Sequence, residues 1–263
     1  MEQASAPGGA GQVAALLRAA GCVYAQEEAS LLIAGAADGA GLERMLAERT
    51  AGRPLEYVLG WAGFCGLHLH LEPGVFIPRR RTELLAGLAA AQLADRPGAV
   101  VVDLCCGAGP VSAVVLDRAV VAELVAVDVE AAAVACARRN LADPAVVRQG
   151  DLFAAVPDRL RGRVDLLTAN APYVPTGQLE TLPAEARLYE PAATHDGGAD
   201  GLRILLRIAA QAPLWLAPAG VLLAECAAGQ VRALAAAFRA AGLQPAVRRR
   251  RSTGATVLQG RAG

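Results

Sequence analysis

The chain has 263 residues, of which 54% are hydrophobic and 19% are charged, and this composition is typical of compact globular proteins rather than of disordered ones. Its 25 basic and 25 acidic residues give a net charge of zero, so no overall field draws the protein to nucleic acid or to an acidic membrane. Every basic residue other than histidine is an arginine, which excludes a lysine nucleophile or Schiff base.

The pattern indicates neither a membrane span nor a metal cluster. The longest apolar stretch, residues 212–224, holds two prolines and a glycine, which argues against a transmembrane helix. Residues 1–12 lack the basic start and apolar core of a signal peptide, so we expect a cytoplasmic protein. The six cysteines form no CxxC pair, and we expect neither a disulfide framework nor a metal site.

The N-terminal fifth of the chain predicts a small helical domain. Apolar residues recur at three- and four-residue spacing over residues 11–52, and glycines mark the breaks. Over residues 54–78 the character changes, because glycines and prolines now punctuate aromatic and alternating apolar residues. This second pattern predicts a hairpin that connects two domains.

Short apolar runs alternate with amphipathic segments in the rest of the chain. The predicted strands cover residues 99–104, 123–128, 145–149, 164–169, 220–226, 245–250 and 256–261. The predicted helices cover residues 82–94, 109–118, 130–141, 200–212 and 229–241. This alternation predicts an α/β fold with a doubly wound, mostly parallel seven-stranded sheet, whose last two strands form an antiparallel edge.

The segment VVDLCCGAGPV runs from a strand through a tight loop into a helix. Asp103 ends the strand, Gly107 and Gly109 let the backbone turn, and Pro110 suits a first helical position. Such a loop aims free N–H groups at a ligand, although the same pattern also fits a plain strand-to-helix turn.

The next two strands also end in residues that suit a nucleoside. Asp128 follows the glycines by about 20 residues, where a carboxylate accepts ribose hydroxyls. Asp151 and Leu152 offer a polar and an apolar wall to an adenine ring. Ser112 stands where a dinucleotide fingerprint has its third glycine, which favours a nucleoside without phosphates. We therefore expect S-adenosylmethionine rather than a nicotinamide cofactor.

The fourth strand ends in NAPYVP, residues 170–175. The side-chain oxygen of Asn170 and the backbone carbonyl of Ala171 suit the two N–H bonds of a substrate NH₂ group, whose lone pair then faces a methyl donor. Pro172 stiffens the turn, and Tyr173 can pack over a planar substrate group. We predict that Asn170, Pro172 and Tyr173 are catalytic and that Ala171 joins them in binding the substrate.

Taken together, these segments resemble the HemK-like family of protein-glutamine amide methyltransferases, which modify the GGQ glutamine of peptide-chain release factors. The resemblance rests on RPLEYVLGWAGFCGLHLHLEPGVFIPRRRTELL, VVDLCCGAG, NAPY, EPAATHDGGADGLRILLRI and AGVLLAECAAGQ, and it covers nearly the whole chain. It implies a substrate-recognition domain over residues 1–53, a hairpin linker over 54–80 and a Rossmann-like methyltransferase domain over 81–263.

The resemblance also implies a role for individual residues. Asp128 would bind the ribose hydroxyls, Leu152 would lie by the adenine, and Asn170 would touch both cofactor and substrate. The methionine and ribose part of S-adenosylmethionine would be lined by Cys105, Cys106, Gly107, Ala108 and Gly109. The implied partner is a protein substrate, with a release factor as the first candidate.

The sequence departs from the family pattern at several positions. Cys105 replaces the usual glycine, NPPY has become NAPY through Ala171, and PRPxTE has become PRRRTE with Arg80 and Arg81. These changes indicate a divergent branch, similar to actinobacterial relatives, whose substrate is open. The alternatives are methylation of a nucleobase amino group, which the neutral net charge argues against, methylation of a small-molecule amide, and a cofactor-binding module without turnover.

Other groups are not assigned to the chemistry. His68 and His70 share one face of a predicted strand but have no third metal ligand nearby. The cluster Arg248–Arg251 is interpreted as the charged protection of an edge strand, with RNA contact as the alternative. His195 is expected in a loop near the cleft, and the reaction requires no catalytic base there.

Overall fold

The N-terminal part of the chain is a helical bundle. The computed structural model describes residues 9–263, so the first eight residues of the predicted N-terminal domain, including most of the segment judged not to be a signal peptide, lie outside the described part. The bundle consists of α1 (Ala10–Ala19), α2 (Ala25–Gly35) and α3 (Gly39–Thr50). Val13, Leu17, Leu32 and Leu46 belong to its own apolar core. The helices predicted over residues 11–52 are therefore confirmed.

A short helix and a hairpin follow the bundle. The helix α4 (Leu55–Leu59) begins after Pro54 and ends at Gly60, and its five residues are too few to produce a helical periodicity in the sequence. Strands β1 (Trp61–Phe64) and β2 (Leu67–His70) pair as an antiparallel hairpin. The predicted hairpin is confirmed, whereas α4 was not predicted.

A seven-stranded sheet forms the centre of the described part of the chain. Its strands are β3 (Ala99–Leu104), β4 (Val121–Asp128), β5 (Ala145–Gln149), β6 (Val164–Ala169), β7 (Leu216–Glu225), β8 (Gln244–Arg250) and β9 (Ala255–Arg261). Their order is β5-β4-β3-β6-β7-β9-β8, and β9 is the one strand of this sheet that runs opposite to the other six. This architecture confirms the mostly parallel Rossmann-like sheet, and it places β8 at the edge beyond β9.

Helices cover both faces of this sheet. They are α5 (Glu83–Leu93), α6 (Pro110–Arg118), α7 (Ala131–Asn140), α9 (Arg203–Gln211) and α10 (Val231–Ala240). The short helix α8 (Ala184–Tyr189) contacts the N-terminal bundle instead, through Glu185 and Arg49. The core on one face joins α9 and α10 to the sheet, and the core on the other joins α5, α6 and α7 to it. Alternate residues of β3, such as Val102 and Val101, belong to the two different cores, so the sheet is doubly wound.

Strands β7 and β5 differ most from the sequence expectation. Strand β7 begins at Leu216 rather than at residue 220, because a backbone irregularity at Ala219, with a φ of 59°, lets the chain continue the strand through Pro218. Strand β5 lies at a sheet edge, and of its residues only Val147 is buried. Its apolar sequence had suggested a strand covered on both faces. None of the helices within residues 9–263 is long and apolar enough to cross a lipid bilayer.

The topology fixes where a ligand site can form. Strands β4 and β5 follow β3 in the chain and lie on one side of it in the sheet. The next strand, β6, lies on the other side of β3. The strand order therefore reverses between β3 and β6. In open α/β sheets such a reversal leaves a crevice at the carboxyl ends of the two strands.

Candidate active site

A cavity of about 470 Å³ lies at this reversal point. Such a volume is typical of small-molecule sites. Of the residues predicted from the sequence, the cavity is lined by Cys105, Cys106, Gly107, Ala108, Asp128, Asp151, Leu152, Asn170, Ala171, Pro172 and Tyr173. The predicted cofactor and substrate residues thus surround a single space, with Gly109 as the exception.

The loop after β3 forms the floor of the cavity. Cys105 and Gly107 both adopt left-handed backbone conformations, with φ angles of 55° and 56°. A Cβ added at Gly107 meets nothing within 4 Å, so the backbone there borders open space. At Gly109 an added Cβ would lie 3.1 Å from Leu141, which shows that this glycine serves close packing at the start of α6.

Asp128 joins this loop to the end of β4. One of its carboxylate oxygens accepts a hydrogen bond from the Gly107 N–H at 2.8 Å, and the other accepts one from the Glu130 N–H at 3.0 Å. Burial raises the pKa of the Asp128 carboxyl. Because each carboxylate oxygen has a second lone pair, Asp128 can still accept hydroxyl groups from a ligand in the cavity.

The loop after β5 contributes a polar and an apolar wall. Asp151 pairs with Arg207 of α9 at 2.7 Å and remains partly exposed. Leu152 is buried and lines the same cavity, with a left-handed φ of 50°. The pair offers the two kinds of surface that a purine ring contacts.

Asp103 is a cavity residue to which the sequence analysis gave no ligand role. Its buried carboxylate accepts hydrogen bonds from the hydroxyls of Ser112 at 2.6 Å and Thr168 at 2.7 Å. Burial outweighs these bonds and raises the pKa of Asp103 to about 6. Its position at the carboxyl end of β3 was visible in the sequence and could have marked it.

Asn170 and Ala171 place two hydrogen-bond acceptors in the cavity wall. The Asn170 side-chain nitrogen donates to the buried Thr82 hydroxyl at 3.4 Å. Within residues 9–263 the Asn170 side-chain oxygen and the Ala171 carbonyl have no hydrogen-bond partner. Thr82 thus orients the amide and leaves its acceptor oxygen available. Thr82 was not named as a site residue.

Tyr173 is held at its hydroxyl, its ring and its backbone. Its hydroxyl donates to Glu225 at 3.0 Å, and the Arg81 guanidinium lies 5.4 Å from the ring centroid. The side-chain nitrogen of Gln230 donates to the Tyr173 carbonyl at 2.8 Å. Burial and the Glu225 carboxylate raise the pKa of the tyrosine, so its hydroxyl stays protonated as a donor. Glu225 and Gln230 were not predicted.

A buried cluster of charged side chains lies beside the cavity wall that residues 192–196 form. The carboxylate of Glu190, whose side chain is 0% exposed, accepts hydrogen bonds from Arg79 at 2.6 Å and from the Ile77 N–H at 3.1 Å. His195 lies with a ring nitrogen 2.8 Å from the same carboxylate and lines the cavity. The expectation that His195 lies near the cleft is therefore confirmed. Through its bonds to Ile77 and Arg79, Glu190 connects the segment before His195 to the linker.

The histidines of the hairpin take part in other contacts. His68 stacks on Trp61 with ring centroids 4.0 Å apart, and His70 lies 3.1 Å from Glu72. In the described part of the chain, no group of three or more histidine, cysteine, aspartate or glutamate side chains is arranged to hold a metal ion.

Comparisons with known proteins find methyltransferases. Residues 66–195 match the family model described as "Methyltransferase small domain". A release factor glutamine methyltransferase from Geobacter sulfurreducens is 35% identical over 75% of this chain and 69% of that protein. A 4-amino-L-phenylalanine/4-methylamino-L-phenylalanine methyltransferase from Streptomyces pristinaespiralis is 36% identical over 74% of this chain and 68% of that protein.

A solved structure supports the fold. A methyltransferase from Pyrococcus furiosus superimposes with a TM-score of 0.55, covering 76% of this chain and 90% of that chain at 16% identity. The sequence relatives show the family, because the one from Geobacter sulfurreducens is 35% identical and is covered over more than two thirds of its own length. The chain is a methyltransferase that belongs to the release factor glutamine methyltransferase family.

Proposed function

We propose that the protein transfers a methyl group from S-adenosylmethionine to the side-chain amide of a protein glutamine, with the GGQ glutamine of a peptide-chain release factor as the first candidate. One observation carries this proposal. Asn170 and Ala171 present two partnerless acceptors in the wall of the same cavity that the glycine loop after β3 borders. A primary amide NH₂ has two N–H donors and fits this pair.

The cavity also suits the proposed cofactor. The open space at Gly107 admits a ligand close to the backbone, and the Asp128 carboxylate can accept the hydroxyls of a ribose. Leu152 supplies an apolar surface for the adenine, and Asp151 a polar one. Cys105 departs from the family's glycine, but it adopts the left-handed conformation that glycine favours. The loop therefore keeps its shape despite the substitution.

In the proposed reaction S-adenosylmethionine would supply an electrophilic methyl group, whose bond to sulfur breaks as its bond to the amide nitrogen forms, leaving S-adenosylhomocysteine. An amide nitrogen is a poor nucleophile because its lone pair is delocalised. Asn170 and Ala171 accept the two N–H bonds and thereby turn the nitrogen lone pair toward the methyl donor. The same acceptors stabilise the positive charge that develops on the nitrogen. The extra proton then passes to water, so no side-chain base is required.

The N-terminal bundle is the proposed substrate-recognition domain. The sequence predicts that this domain ends at residue 53 and that the linker to the methyltransferase domain ends at residue 80. The buried Arg49 of α3 pairs with Glu28 at 2.6 Å and with Glu185 of α8 at 2.7 Å. Helix α8 precedes Glu190 and His195, so the bundle is bonded to the segment that forms one cavity wall. A protein bound to the bundle would therefore lie beside the cavity.

A second candidate is N-methylation of a small aromatic amine. The relative from Streptomyces pristinaespiralis has a name that describes such a substrate. The cavity carries aromatic side chains at Phe76 and Tyr173, which can pack on a planar ring. An aryl NH₂ group presents the same two N–H donors as an amide, so the acceptor pair suits both substrates.

Methyl transfer to each acceptor decides between the candidates. Purified wild-type protein is incubated with labelled S-adenosylmethionine and either the host release factors or 4-aminophenylalanine, and the label is mapped by mass spectrometry. Label on the GGQ glutamine supports the proposed function. Label only on the aromatic amine supports the second candidate. If cofactor binds and neither acceptor is labelled, both proposals are wrong.

A further inference from the structure

Exposed arginines lie at the sheet edge that carries the active-site cavity. Arg81 lines the cavity and its side chain is 44% exposed, so it marks the opening. Arg80 is exposed beside it, and Arg250 of β8 lies 3.9 Å from Glu83 at the start of α5. We call these residues the arginine rim: Arg80, Arg81, Arg248, Arg250 and Arg251.

The sheet topology brings these two distant parts of the sequence together. Strand β9 lies antiparallel between β7 and β8, so β8 runs parallel to β7. The carboxyl end of β8 therefore reaches the sheet edge that carries the active site. In the pairing register, Arg248 lies opposite Val257, which lies opposite Glu225, the partner of Tyr173.

The positive charge of the rim is largely uncompensated. Within residues 9–263, no carboxylate lies within 4 Å of Arg80, Arg248 or Arg251. Arg81 approaches Glu225 at 3.4 Å, and Arg250 has its only carboxylate neighbour of the described chain at 3.9 Å. Protection of an edge strand explains charge on β8. It does not explain Arg80 and Arg81, which lie on no strand.

We propose that the arginine rim binds an acidic segment of the protein substrate near its target glutamine. This inference rests on the proposed function, since it requires a polypeptide substrate. Guanidinium groups pair with carboxylates through two parallel hydrogen bonds, which position a partner as well as attract it. The rim segments, residues 79–82 and 248–253, contain no aromatic side chain on which bases could stack. Together with the zero net charge, this favours an acidic peptide over nucleic acid.

The test compares two triple variants of equal charge. The rim variant carries Arg80→Gln, Arg248→Gln and Arg251→Gln. The control variant carries Arg148→Gln, Arg163→Gln and Arg239→Gln, at exposed positions away from the rim. We expect the rim variant to lower kcat/KM for the release factor by about tenfold, with kcat and cofactor affinity changed by less than about twofold. The control variant should match the wild type.

A binding measurement separates this inference from the proposed function. A fluorescent glutamine peptide flanked by glutamates, and a matched peptide flanked by glutamines, are titrated with wild type and rim variant. Tighter binding of the acidic peptide by wild type alone supports the rim. If wild type and rim variant bind the acidic peptide equally tightly, the inference about the rim is wrong, even if release factors are methylated. Absent methylation by wild type refutes the proposed function instead. A single-stranded RNA that binds the rim in place of the acidic peptide also overturns the inference.

Discussion

The hydroxyl of Tyr173 donates a hydrogen bond to the buried carboxylate of Glu225, 3.0 Å away, although 52 residues separate the two in sequence. The second oxygen of Glu225 is buried without a hydrogen-bond partner in the described part of the chain. Burial raises the pKa of Glu225, and the Thr82 hydroxyl, the Arg81 guanidinium and the Tyr173 hydroxyl together oppose that rise. The same bond fixes the tyrosine that frames the proposed substrate site.

Replacing Tyr173 with phenylalanine should lower the free energy of unfolding by about 1 to 3 kcal/mol, because Glu225 then loses one of its donors and keeps only Thr82 and Arg81 while remaining buried. Urea denaturation measures this. The additional change Glu225→Gln removes the buried charge that has lost this donor and should recover part of the loss. Losses that simply add in the double variant would show that the two side chains do not act as a pair.

Gly201 should tolerate no side chain, because a Cβ there would overlap the Tyr173 carbonyl oxygen and the Gln230 side chain. We expect Gly201→Ala to destabilise the fold by about 2 to 4 kcal/mol and to displace Tyr173. Gly242→Ala is the matched control, since Gly242 has a similar φ of 79° but open space around it. Gly242→Ala should lower the free energy of unfolding by about 1 to 2 kcal/mol, because it introduces the backbone strain of a left-handed alanine without an overlap. Equal losses in the two variants would contradict the predicted overlap.

The stability of the protein should depend on pH through Asp103. Its pKa of about 6 in the folded protein exceeds the ordinary value of 3.8, so the folded state holds this proton more tightly. The contribution of protonated Asp103 to the free energy of unfolding is therefore fully present below about pH 4. It is lost as the pH rises through about 6, which lowers the free energy of unfolding by about 3 kcal/mol. Asp103→Asn should flatten this part of the unfolding free-energy profile. Profiles that run parallel for the two proteins would disprove the assignment.

The pair between Arg79 and Glu190 should contribute more to stability than an exposed ion pair. Arg79→Ala leaves the Glu190 carboxylate buried with only the Ile77 N–H and His195 nearby, and we expect a loss of about 3 kcal/mol. Arg159→Ala breaks an exposed pair with Glu123 and should cost far less. Thermal denaturation of both variants provides the comparison. Similar shifts in Tm would show that burial gives the Glu190 pair no special weight.

Much of the fold could be predicted because its signals are local. The strands at residues 99–104, 145–149 and 164–169 were found at their observed bounds, since short apolar runs stand between glycines and polar turns. The residues that follow them, from Cys105 and Asn170 onward, met at one cavity because the carboxyl ends of parallel strands share an edge.

The supporting contacts could not be predicted because they depend on how distant segments pack. Glu225 and Gln230 reach Tyr173 only through the adjacency of β6 and β7, and Thr82 reaches Asn170 only through the placement of α5. Arg248 was interpreted as edge protection, with RNA contact as the alternative, and its strand is indeed an edge. Its place at the sheet edge that carries the cavity depends on the strand order, which the sequence does not specify.

The central claim is that Asn170 orients an NH₂ group for methyl transfer, and its most direct test is single-turnover methylation of a release factor by wild type and Asn170→Ala, each at saturating cofactor. If each acceptor contributes about 1.5 to 3 kcal/mol in the transition state, the variant should react about ten to a few hundred times more slowly. Calorimetry should show that S-adenosylmethionine still binds, and circular dichroism that the fold is kept. A variant that transfers the methyl group at the wild-type rate would contradict the account.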